Sequence, residues 1–144
     1  MEAKQNICCF IGRRSNNFHF GQDEVHEDCI RLKIKMAVEI EKIRKKGVTT
    51  FLSGMAQGVD IWGAEIVLDL KRAYPDEEIR LIAVVPYKSQ ANRWPEDYRE
   101  RYLRILASAD ETVILHEQYT RGCVYERKTL KLVQRVFPLQ MKVC

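Results

Sequence analysis

Long apolar runs are missing from this sequence. None in its 144 residues approaches the ~20 that a membrane-spanning helix needs. The opening Met1-Glu2-Ala3-Lys4-Gln5-Asn6 lacks the apolar stretch of a secretory leader. A cytoplasmic location and no membrane partner are therefore expected. Histidine is scarce: His19, His26 and His116 offer no recognisable zinc-ligand spacing, so no metal and no cofactor are expected. The cysteines contain no C-x-x-C pair. All five, Cys8, Cys9, Cys29, Cys123 and Cys144, read as small buried hydrophobes in a reducing compartment. The excess of positive charge is only +4. That permits an anionic ligand but gives no nucleic-acid footprint by itself. Internal repeats, low-complexity stretches and linkers are absent, which leaves a single domain over residues 1–144.

What is present is a regular alternation of short apolar runs and amphipathic segments. Ile7-Cys8-Cys9-Phe10-Ile11 reads as a buried strand ending at Gly12. Val25, Cys29, Leu32, Met36, Ile40 and Ile43 recur at three- and four-residue steps, one stripe of a long helix. Lys45-Lys46-Gly47 closes that helix. Thr49 to Leu52 forms a second strand, and Val59, Trp62, Ile66, Val67 and Leu70 mark a second helix. Leu81 to Val85 is a third strand, halted by Pro86. Pro95 suits the first turn of a third helix with Tyr98, Tyr102, Ile105, Leu106 and Ala109 inward, and Thr112 to Leu115 is a fourth strand. Strands apolar throughout, alternating with helices, predict a mostly parallel sheet flanked by helices, a single Rossmann-like three-layer α/β domain.

In such a sheet the loops at the carboxyl ends of the strands share one edge, where ligands bind. The most informative of them is Ser53-Gly54-Met55-Ala56-Gln57-Gly58-Val59-Asp60. Glycine lets backbone approach a ligand, and the first turn of a helix offers unpaired N–H groups with partial positive charge. Asp60 could cap that helix or reach a ribose hydroxyl. Gly12, Arg13 and Arg14 follow the first strand and could meet a phosphate. Gln90 lies in the third loop. Trp94 could either staple the start of the third helix or wall a ligand. The glycine motif alone is weak, being neither G-x-G-x-x-G nor a Walker loop.

Taken in order, these blocks resemble the YpsA-like family of the SMF/DprA–LOG (SLOG) superfamily. Cys9 to Arg14 is similar to the family's C-F-T-G-H-R opening, with Arg13 where histidine is usual. Ser53 to Glu65 is similar to S-G-M-A-x-G-V-D-x-W-A-A-E, the most specific block. Pro86 to Gln90 with Trp94 resembles P-x-x-x-Q-x-x-x-W, and Tyr119-Thr120 with Cys123 and Arg127 resembles Y-T-x-x-C-M-x-x-R-N. The likeness covers roughly residues 6–128 and leaves 129–144 as a divergent tail. It implies a Rossmannoid domain that binds a nucleotide or nucleotide-derived molecule through Gly12, Arg13, Arg14, Ser53, Gly54, Met55, Gly58, Asp60, Gln90, Trp94, Tyr119 and Arg127.

Departures narrow the implication. The P-G-G-x-G-T-x-x-E motif of LOG enzymes has no match, and no glycine follows Gly122. The family's last strand and its G-G-T loop are therefore expected to be missing or replaced. A strand edge would then be uncovered, for the apolar tail with Val133, Val136, Phe137 and Leu139 to cover within the chain or to pair with a second subunit; a homodimer or higher oligomer is expected. Binding without strong catalysis is the preferred function, to sense, carry or sequester the ligand. A LOG-like nucleotide hydrolase or N-glycosidase, drawing its acid chemistry from Glu65 or Asp60, is the alternative. DprA-like single-stranded DNA binding ranks last, because the basic residues are spread along helices.

Overall fold

In the computed structural model, the structure describes residues 7–10, 12, 14–118 and, as backbone, 141–143. Four strands and three helices alternate as the apolar pattern requires: β1 (Ile7–Phe10), α1 (Glu27–Lys45), β2 (Thr50–Ser53), α2 (Val59–Ala73), β3 (Arg80–Tyr87), α3 (Glu96–Ser108) and β4 (Glu111–His116). A further strand, β5 (Met141–Val143), completes a parallel sheet of order β4-β3-β2-β1-β5. The domain is α/β and Rossmann-like.

The strand order explains where the helices sit. From β1 to β4 each crossover steps one place in the same direction. Crossovers of uniform hand then stack all three helices on one face. The core agrees. Ile40 and Ile43 of α1, Ile61, Ala64 and Val67 of α2, and Tyr102 and Ile105 of α3 pack with Cys8, Phe10, Phe51, Leu81, Ala83 and Val85. The opposite face carries Ile7, Cys9, Leu52, Ile82 and Val84, buried as well; among the described residues no helix contributes to it. Neighbouring strand residues alternate between faces, so Cys8 joins one cluster and Cys9 the other. Gly63 brings α2 down onto β1: a β-carbon there would sit 2.7 Å from the Phe10 ring.

One open alternative is narrowed: β5 pairs Ile7 with Met141 and Cys9 with Val143, so a strand of the divergent tail lies along β1 within the chain. Several expectations need correcting. Val25 is 83% exposed and precedes the helix, because His26 is the N-cap and Asp23 takes the Val25 N–H. β3 runs through Pro86. Pairing with β2 stops at Ala83, so proline's missing donor costs no bond on that side. Cys9 and Cys29 are free and buried, whereas Cys8 is disulfide-bonded, against the expectation of five thiols. No described helix is long and apolar enough to cross a membrane.

Candidate functional site

The loop after β2 is built by its own polar side chains. Ser53, fully buried, donates its hydroxyl to the Asp60 carbonyl at 2.8 Å and accepts the Met55 N–H at 3.2 Å. The Asp60 carboxylate accepts the Ala56 N–H at 3.4 Å, which folds the loop back over the first turn of α2. Gly58, the N-cap, has φ 105°, a left-handed value that favours glycine. Met55 holds φ 61° with its side chain in the core, a conformation costing an ordinary residue roughly 1–2 kcal/mol. Gln90, from the loop after β3, donates its side-chain amide to the Met55 carbonyl at 2.8 Å and so pins that turn.

The loop after β1 lies against the same helix start. Arg14 and Gly58 form an isolated antiparallel bridge, and the Ser15 N–H reaches the Gln57 carbonyl at 3.2 Å. Gly12 meets Val59 so closely that a β-carbon would fall 2.4 Å from its Cγ1. Gly12, Arg14, Ser53 to Gly58, Asp60 and Gln90 are thus brought together at the carboxyl edge of the sheet, around the N-terminus of α2. Gly54 lies half-buried between Ser53 and Met55. Trp94 is half-buried beyond the Gln90 turn, edge-on to Tyr102 at 5.2 Å, which anchors it to α3. Arg13, Tyr119 and Arg127 lie outside the described residues.

A charged network behind this edge was not legible in the sequence, where Arg101 is one of several basic residues spread along helices. Arg101 of α3 donates to Glu24 at 2.6 and 3.1 Å and to Glu65 of α2 at 3.1 Å. Lys33 and the Tyr98 hydroxyl also donate to Glu24. Burial pushes the Glu24 carboxyl up, but Arg101, Lys33 and Tyr98 outweigh it and hold the group down at about 2. Burial pushes Tyr98 well above the ordinary phenol value, and its bond to ionised Glu24 adds to that. The network ties Glu24, in the turn before α1, to α1, α2 and α3. A related effect reaches Cys9: burial, then the nearby Asp60 charge, raises its thiol to about 12, which keeps it protonated and unreactive.

Chemically, the edge presents an arginine, glycine backbone and the positive end of a helix, a set suited to an anionic group. Both candidate acids are engaged, Asp60 with the Ala56 N–H and Glu65 with Arg101.

Fold and loops together define a Rossmann-like α/β domain whose βα loops converge on one helix N-terminus. The profile of the YspA SLOG family matches residues 8–136, and the chain belongs to that family. It is 27% identical over 112 residues to UPF0398 protein RBAM_020340 of Bacillus velezensis, covering 76% of this chain and 60% of that one. It is 28% identical over 111 residues to UPF0398 protein SERP1017 of Staphylococcus epidermidis, covering 77% and 57%. With UPF0398 protein YpsA of Bacillus subtilis the identity is 31% over 84 residues, covering 58% and 46%. The chain thus spans less than two thirds of the length of these relatives.

Proposed function

We propose that the domain binds a nucleotide or nucleotide-derived small molecule at the carboxyl edge of the sheet, without strong catalysis. The observation that carries this reading is the contact of the Arg14 and Gly58 backbones at the N-terminus of α2. It sets a guanidinium-bearing residue beside helix amides, and the two together favour phosphate. A large flat group would meet the half-buried Trp94 beyond the Gln90 turn. The commitment of Glu65 to Arg101 supports binding over a LOG-like glycosidase, for which that acid would have to release its proton. DNA binding draws no support from the described surface, where Arg31, Lys42 and Arg72 pair with acids on their own helices.

The test is a thermal-shift screen of nucleoside mono-, di- and triphosphates and ADP-ribose-type compounds. Stabilisation by at least one, reduced in Arg14→Ala, is expected. No stabilisation by any of them overturns the reading. Self-association belongs to the same proposal. Among the described residues the sheet ends in β4 on one side and the short β5 on the other; we take β4, whose Ile114 is 45% exposed, as the edge for it. Solution mass at low micromolar concentration checks this, and monomer alone would refute it.

A further inference from the structure

Three side chains at the start of α1 stand apart from the glycine loop and its proposed ligand. His19 Nε2 lies 2.7 Å from Asp28 Oδ2, and His26 Nδ1 lies 4.0 Å from the same oxygen. One donor atom from each of the three falls within 4.8 Å of the others. The spacing His-x6-His-x-Asp matches no standard ligand run, which is why it carries no signal in the sequence. The fold makes the cluster: a turn carries His19 back to the N-cap, and His26 and Asp28 lie two residues apart at the helix start.

We propose that His19, His26 and Asp28 bind one divalent transition-metal ion of the zinc class. Two imidazoles and a carboxylate are ligands that zinc accepts. Around a tetrahedral zinc with metal–ligand bonds of about 2.0–2.1 Å, ligand atoms lie about 3.4 Å apart; the observed 2.7 and 4.0 Å separations bracket that edge.

The surroundings favour a cation here. From Ser15 to Ile30 the sequence has four acids, Asp23, Glu24, Glu27 and Asp28, and no lysine or arginine, in a chain of net charge +4. Glu24 is taken up by Arg101 and Lys33, and Glu27 by Arg31. Among the described residues, Asp28 pairs with the two imidazoles and with no lysine or arginine. Asp28, with Asp23 in the preceding turn, opposes the partial positive charge of the helix start, which alone would repel a metal.

The rings are also held in place. Phe20 stacks on His26 at 5.8 Å and meets His19 edge-on at 5.3 Å, and Phe20 is itself buried against Trp62. Such support orients ligands before metal arrives. The side chains of His19, His26 and Asp28 are 65, 39 and 48% exposed, so an ion can enter and a water can complete its shell. His26 Nδ1 also accepts the Asp28 N–H at 3.1 Å; an ion at that nitrogen takes the place of this donor. Gln22, in the same turn, donates to Gln57 at 3.1 Å, which places the cluster one hydrogen bond from the glycine loop.

Calorimetric titration of the whole chain with zinc alone tests the assignment, with cobalt absorption to read out the ligand type. One ion per chain is expected, with cobalt bands typical of nitrogen and oxygen ligands. His19→Ala and Asp28→Asn, both at exposed positions and both keeping the native circular dichroism, should each weaken zinc by about tenfold or more. Absence of saturable one-to-one uptake at submillimolar zinc overturns the proposal. So do thiolate charge-transfer bands, or zinc affinity within about twofold of the parent in either variant.

Discussion

Gly12 and Val59 leave no room for a methyl group between them: a β-carbon at residue 12 would come 2.4 Å from Val59 Cγ1 and 2.5 Å from its Cβ. The loop after β1 and the start of α2 are therefore in backbone-to-side-chain contact, and their spacing is fixed by the absence of a side chain. Gly12→Ala must push α2 or the loop outward. Overpacking of this kind costs about 1–3 kcal/mol, and urea unfolding should show a loss in that range. An unchanged midpoint would mean that the two segments part at no cost.

Arg14 lies at the same junction, exposed and beside Gly58. If it meets an anionic ligand, Arg14→Ala removes a charge-assisted hydrogen bond worth about 1.5–3 kcal/mol, roughly a tenfold to hundredfold loss of affinity. Stability should hardly change. Calorimetry with whichever nucleotide stabilises the parent chain is the check, and equal affinities would move the pocket elsewhere.

Gln90 supports Met55, a non-glycine residue in the left-handed region. Gln90→Ala leaves that carbonyl without its side-chain donor and should cost about 1 kcal/mol. The effect should be local: amide exchange at Met55 to Gly58 accelerates while exchange in β3 does not. Equal rates in the loop would show that Met55 is held by its buried side chain alone.

Glu24 sets an acid dependence whose sign follows from its partners. Its folded value of about 2 lies below the ordinary 4.5. The stabilisation is therefore complete above pH 4.5 and drains away as the pH falls towards about 2. Glu24→Gln should be less stable at neutral pH by about 2 kcal/mol, under the about 3–5 of a fully buried broken pair, because Arg101 and Glu24 keep partial exposure. The gap between the two chains should narrow through that acid window. Urea melts at several pH values between 3 and 7 would show it, and parallel curves would exclude it.

The parts of the fold legible in the sequence are those that rest on burial. Runs such as Leu81 to Val85, short, rich in β-branched residues and followed by Pro86, read as interior strands, and the steps Cys29, Leu32, Met36, Ile40 and Ile43 read as one face of a helix. Gly58 was legible as a backbone device because a strand precedes it and a helix follows. What stayed hidden depends on which distant polar groups meet. Arg101 looks like any helix-surface arginine until the fold sets it between Glu24 and Glu65, respectively 77 and 36 residues away in sequence. Asp60 could be read as cap or ligand contact, and its acceptance of the Ala56 N–H is a matter of angstroms. β5 escaped because Met141-Lys142-Val143 is too short for periodicity to mark.

The pairing of Ile7 with Met141 has a consequence for how the chain assembles. Strand β1 gains one neighbour after a single helical crossover and the other only from a segment that lies beyond all three helices and β4. Closing so long a loop is slow relative to the local β-α-β steps. During synthesis β1 to β4 can collapse with their helices while the far side of β1 still shows a row of unpaired backbone groups, a template for another chain. Docking of β5 replaces that row with the edge of a strand only three residues long, a smaller template for another chain.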